Sequence, residues 1–185
     1  MSAGGNNVVS FYRGQLSGAH QVLEGTMADV TPTQAHWTPP GVANPVGANY
    51  AHVVLTEDAI VNNTLRGAAP LFASSWAGKV GISEPPPQPN PAAPGLPSWS
   101  DWGRRVKIDM GAIREYAQAV YAASDEYLAS LSDDELDRPV DLSLLGLGES
   151  TVGQILGGVL LGNVQWHCGE ISCLKGLQGA KGYPF

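Results

Sequence analysis

Apolar residues recur every three or four positions over four separate stretches of the chain, and nowhere does a run alternate with the period of two that a half-buried strand requires. Tyr12, Leu16, Ala19, Leu23 and Met27 predict a first helix over about residues 7–30. The segment "TPTQAHWTPPGVANP" breaks that pattern with prolines. Asn44-Pro45 then supplies an N-cap and a proline at the first helical position, predicting a second helix to about residue 66. Ile113, Tyr116, Val120, Ala123 and Tyr127 place a third helix over about residues 100–131, and Ser132 and Glu135 of "SDDEL" are spaced as a capping box for a short turn. A fourth helix opens at Ser150 or Thr151 and ends in the glycines of "KGLQGAKG". Its "ILGGVLL" stretch is apolar on nearly every face, so this helix is expected to be the most buried.

Between the second and third helices, "EPPPQPNPAAPGLP" carries seven of the 14 prolines, which excludes helix and interior strand and leaves a stiff surface connection. Four helical patterns without an internal repeat predict one all-α domain over residues 1–185, a four-helix bundle with long connections.

The polar residues of the fourth helix are what complicate this picture. Val152, Leu156, Val159, Asn163, His167, Glu170 and Leu174 are separated by alternating threes and fours and form one stripe, which aims Asn163, His167 and to a lesser degree Glu170 inward. Buried polar groups without partners cost about 1–3 kcal/mol each, so these side chains need partners. Asn163 and His167, four apart, have the spacing by which one helix offers two ligands to one metal ion. His52, amid the apolar residues of "NYAHVVLTED", is the candidate third ligand, since bundles build such sites from inward side chains on facing helices. His20 borders the apolar stripe of the first helix, and His36 lies in a connection where an exposed or capping role is usual; both are weaker candidates. The competing reading is a core histidine hydrogen-bonded to a carbonyl or carboxylate, and an amide such as Asn163 is a poor ligand for zinc or nickel. Glu170 is equally a capping or surface carboxylate, and Glu57 or Asp58 is a candidate partner that orients a histidine ring.

Composition narrows the function classes. The 185 residues suffice for one sizeable core, and no stretch approaches the ~18 apolar residues of a membrane span, so no membrane partner is expected. A formal charge of −7 is the wrong sign for a phosphate-binding surface, and no Lys/Arg run exceeds Arg104-Arg105, so nucleic acid is not an expected partner. The N-terminus has neither a basic region nor a long apolar one, which makes a cytoplasmic location the default expectation. Cys168 and Cys173, five apart on a helix, fall on different faces and read as small buried residues in a reducing compartment rather than as a disulfide or CxxC pair.

The pieces "ADVTPTQAHWTPPG", "HVVLTED", "LSDDELDRPVD" and "HCGEISCLKGLQGAKGYPF" resemble, in order and spacing, the DinB-like (YfiT-like) superfamily of metalloenzymes. Thr31, Trp37 and Pro39 match its Thr-rich, aromatic and proline segment before the second helix, and His52 and Glu57 match its helix-borne histidine and acid. His167, Gly169, Glu170 and Ile171 match the last-helix pattern His-x-x-x-His-x-Gly-Glu/Gln-Ile, with Asn163 standing at its first histidine. The resemblance implies a four-helix bundle, a homodimer, and a nickel or zinc site at His52, Asn163 and His167 with positions open for thiol or water. It also implies a small-molecule substrate and transferase or isomerase chemistry with a low-molecular-weight thiol. The alternative is a metal-free, non-enzymatic homodimeric binding module that keeps the fold. Trp76, Trp99 and Trp102, flanking the proline-rich connection, are candidate interface residues.

Overall fold

The computed structural model describes residues 7–90, 92, 95 and 98–185; the first six residues and part of the proline-rich connection, on which the leader and linker expectations also rest, lie outside the described residues. Four long helices form the bundle: α1 (Val8–Met27), α3 (Val46–Asp58), α5 (Met110–Ser130) and α7 (Gly162–Leu177). Two short helices, α2 (Pro32–His36) and α4 (Trp99–Arg105), cover the connections. α1 and α3 each pack against both α5 and α7, so the seams run α1–α5, α5–α3, α3–α7 and α7–α1 around the core. The described strands are a three-residue antiparallel pair, β1 (Pro139–Asp141) with β2 (Glu149–Thr151), in register Pro139↔Thr151.

The ends of the helices follow their local chemistry. Asn7 caps α1 by accepting from the Ser10 N–H, and Asp133 of the "SDDEL" turn accepts from the N–H groups of Val8 and Val9, tying two helix ends together. Ser132 and Glu135 form the expected capping box on the 3₁₀ turn Asp133–Asp137. Thr151 and Gln154 form another at the start of the last helical segment, α6 (Val152–Gln154), which continues through a π-helical stretch (Ile155–Leu161) into α7. A third box, Thr31 with Gln34, starts α2 inside the stretch whose prolines had suggested only a break.

Four sequence expectations are corrected. The cap of α3 is Pro45, without a side-chain bond, one residue later than Asn44. The third helix is not continuous: α4 ends at Arg105 and α5 begins at Met110. The helical bonds across residues 106–109 are replaced by tertiary ones. The Ile108 N–H donates to His36 Nε2 at 2.9 Å, the Asp109 N–H to the Gly81 carbonyl at 2.7 Å, and Asp109 caps the N–H groups of Gly111 and Ala112.

The most buried long helix is α3 rather than the last one, with 11 of its 13 residues buried, because α2, α4 and the turn Leu71–Ala73 cover what α5 and α7 leave open. The inward stripe of the last helix also shifts. A π-helical turn takes up about one extra residue, so burial passes to Leu160, Val164, Cys168 and Ile171. Asn163 and His167 are left half-buried at the edge of the core, and Glu170 is exposed.

Gly81 sits at φ +82°, and a Cβ there would lie 2.8 Å from Ala112 Cβ and 2.9 Å from the Asp109 carbonyl. Asp109→Ala is therefore expected to lower stability by about 1–2 kcal/mol through loss of the cap. Gly81→Ala is expected to cost more. Urea unfolding midpoints at unchanged m value check both; a midpoint for Gly81→Ala equal to that of the parent would refute the packing described at this turn.

Candidate functional site

His52 is brought to the α3–α7 seam by its place on α3, and His167 faces it from α7. Their ring centroids are 4.6 Å apart with planes at 77°. Trp99 of α4 closes the far side of His52, edge-on at 4.4 Å. Thr56, one turn along α3, sets its hydroxyl 3.4 Å from His52 Nδ1, and Glu170 accepts from His167 Nδ1–H at 2.7 Å. When the ring is neutral, that bond puts the proton on Nδ1 and the lone pair on Nε2. Asn163, one turn before His167, neighbours His52 as well.

Burial pushes the His52 pKa down to about 4; the neighbouring His167 adds to the effect, and the Asn163 side chain opposes it. His52 is therefore a neutral imidazole at physiological pH, the form that can accept a hydrogen bond or ligate a cation.

A groove of about 360 Å³ opens from His52 along the α3 side of the bundle. Ile60, Phe72, Trp99, Leu142 and Val159 form its apolar walls, and residues 86–89 of the proline-rich connection form part of its rim. Among the described residues lining it there is no Lys or Arg, and Asp141 is its one carboxylate. The groove therefore favours neutral, apolar groups.

The sequence-predicted site residues are distributed unevenly. His52 and His167 are together, with Asn163 beside them. Among the described residues no group of three His, Cys, Asp or Glu side chains is placed to hold a metal ion. His36 has a structural role: Nδ1–H donates to the Pro32 carbonyl at 2.8 Å, and Nε2 accepts from Ile108. Glu57 does orient a histidine ring, but that ring is His20 on α1, at 2.8 Å from Nε2 to Oε2, rather than His52. Five residues along a helix amount to about 140° of rotation, so the spacing alone separates Glu57 from the face of His52. Asp58 accepts from Tyr116 Oη at 2.5 Å, from the Asn62 amide at 2.7 Å, and from the N–H groups of Leu71 and Phe72. Burial pushes the Cys168 thiol pKa up, opposed by its contact with the Thr26 hydroxyl, whereas Cys173 is exposed, contrary to the buried role expected for both. The tryptophans are used inside the fold: Trp102 is buried against Trp99, and Trp76 packs on Tyr116.

The sequence model of the DinB superfamily matches residues 15–171, most of the chain and both histidine-bearing helices. The chain belongs to the DinB superfamily. Its fold is that of a conserved protein from Enterococcus faecalis of known crystal structure, with a TM-score of 0.72 at 18% identity over 91% of this chain and 95% of that one. No curated protein matches the sequence. This DinB-superfamily chain thus brings the imidazoles of His52 and His167 together across the α3–α7 seam, with the Asn163 amide beside them.

Because His52 is held near 4 in the folded protein against an ordinary 6.5, the unfolded chain takes up its proton first as pH falls. The contribution of His52 to stability is fully present above about pH 6.5 and is lost as pH drops towards 4, to a limit of about 3 kcal/mol. An NMR titration of the His52 ring is expected to show a midpoint near 4. A midpoint at the ordinary imidazole value would refute the burial described here.

Proposed function

We propose that the chain uses His52, Asn163 and His167 to hold a divalent cation, Ni²⁺ or Zn²⁺, at the inner end of the apolar groove, and that the reaction there is a transfer or isomerisation on a neutral small molecule with a low-molecular-weight thiol. The single observation that carries the reading is the close, edge-to-face approach of two imidazoles, with the Nδ1 of His167 held by Glu170 and a neutral ring at His52. The donor set fits a weak site: two imidazoles are good ligands for either ion, and the Asn163 amide oxygen is a poor third. A bound cation would supply positive charge that favours the thiolate over the thiol. The protein's own contributions are separate from that charge. Glu170 fixes the His167 ring, Thr56 and Trp99 hold His52, and the walls of Ile60, Phe72 and Leu142 exclude water from a substrate beside them. A homodimer belongs to the same proposal, and light scattering at micromolar concentration giving only a 19.4 kDa species would remove it.

Asn163→His is the decisive substitution. It completes a helix-borne histidine pair four residues apart, facing His52, and should raise Ni²⁺ or Zn²⁺ affinity by at least roughly 10-fold. His52→Ala or His167→Ala in that background should abolish the gain. Calorimetric titration of the tag-free protein measures both. If Asn163→His binds neither ion more tightly than the parent, the metal reading fails and the metal-free binding module replaces it.

A further inference from the structure

A second groove lies on the opposite seam of the bundle, between α1 and α5, and encloses about 370 Å³. His20, Glu24 and Tyr121 form its inner wall, and Ser17, Gln21 and Gln118 line its sides. His20 is 8% exposed and stacks on Tyr121 with centroids 3.8 Å apart. Its Nε2 is held by Glu57 Oε2 at 2.8 Å, and the other oxygen of Glu57 accepts from Ser124 Oγ at 2.6 Å. In the neutral ring Nε2 carries the proton that this carboxylate accepts, so the lone pair sits on Nδ1. No hydrogen bond to Nδ1 is present among the described residues, and His20 is one of the residues that line the groove.

Glu24 repeats the arrangement. Its Oε1 accepts from both the Tyr50 hydroxyl, at 2.7 Å, and the Tyr121 hydroxyl, at 2.8 Å, while Oε2 has no bond among the described residues of this half-buried side chain. Glu24 in this wall and Glu57 behind it thus have hydroxyls and one imidazole as their partners. Among the described residues lining the groove Arg13 is the one cation, and it is paired with Asp125 through Nε to Oδ1 at 2.9 Å and a second bond at 2.8 Å. Convergent acceptors and an excess of negative charge, in a chain of net charge −7, call for a ligand that brings N–H donors and positive charge.

We propose that the α1–α5 groove is a binding site for a small monocation bearing several N–H groups, an alkylammonium or alkylguanidinium, held by Glu24 Oε2 and His20 Nδ1. This site is separate from the α3–α7 seam, so it does not rest on metal binding there.

The test uses the full chain at pH 8, where an ordinary imidazole is neutral, with n-butylamine, n-butylguanidine and butyrate as probes followed by ¹H–¹⁵N NMR. One of the two cations is expected to shift the amides of residues 17–24 and 118–125 saturably, and which one does so decides between ammonium and guanidinium. Butyrate should leave them unmoved. Glu24→Gln should weaken the cation at least ~10-fold, the loss of one charge-assisted bond. Because Glu24 also holds two tyrosines, Gln118→Lys provides a second variant: Gln118 is exposed, and the added ammonium should compete for the groove and weaken the probe by a similar factor. His52→Ala should leave the affinity unchanged. Equal shifts with butyrate, no saturation with either cation, or full affinity in both groove variants would overturn the proposal.

Discussion

Two adjacent buried carboxylates at the end of α3, Glu57 and Asp58, are the constraint on which the rest of the molecule depends. They are 1% and 0% exposed, and a charge so far from water is tolerated only when hydrogen bonds surround it. Glu57 reaches across the core to His20 on α1 and Ser124 on α5. Asp58 takes Tyr116 of α5 and the N–H groups of Leu71 and Phe72. Leaving such a buried group without one of its hydrogen-bond partners costs about 1–3 kcal/mol, so the two acids fix the relative positions of three helices and one connection. Their energetic role is one of specificity: an apolar pair would bury as well but would not dictate which side chains meet.

Each acid also supports one of the two grooves. Asp58 anchors the turn that carries Phe72, a wall of the groove beside His52, and so joins the core to the surface connection around the candidate metal site. Glu57 aligns the His20 ring against Tyr121 at the back of the other groove. Consecutive helical positions point about 100° apart, which is why neighbouring residues serve opposite sides of the bundle. The two grooves differ in chemistry for the same reason of surroundings. The α3–α7 side is walled by aliphatic, aromatic and proline residues, whereas the α1–α5 side is walled by Glu, Tyr, Gln and His.

The helix pattern, the capping box at Ser132, the helix start at Ser150 or Thr151, and the approach of His52 to His167 were legible in the sequence, because each depends on residues within one helix or on the rule that inward residues of facing helices meet. The break before α5 was not legible. Residues 106–109 have no helix-breaking proline, and they leave the helix because Gly81 and His36, distant in sequence, offer their backbone N–H groups better-placed acceptors. The burial of Asn163 and Glu170 was overestimated because a π-helical turn is a departure from the 3.6-residue period on which the stripe was drawn. His20 was passed over because its partner lies 37 residues away on another helix.

By itself, then, the sequence determined the four helical segments, the capping box at Ser132 and the residue types available for ligation, since periodicity and capping act over a few neighbouring residues. Tertiary structure decided which polar groups became partners across helices, Glu57 with His20 and Asp58 with Tyr116, and turned His167 to the edge of the core opposite His52. A carboxylate's hydrogen bonds and a histidine's tautomer are set by whatever packing brings within about 3 Å, and that distance is a property of how the helices are assembled rather than of any one segment.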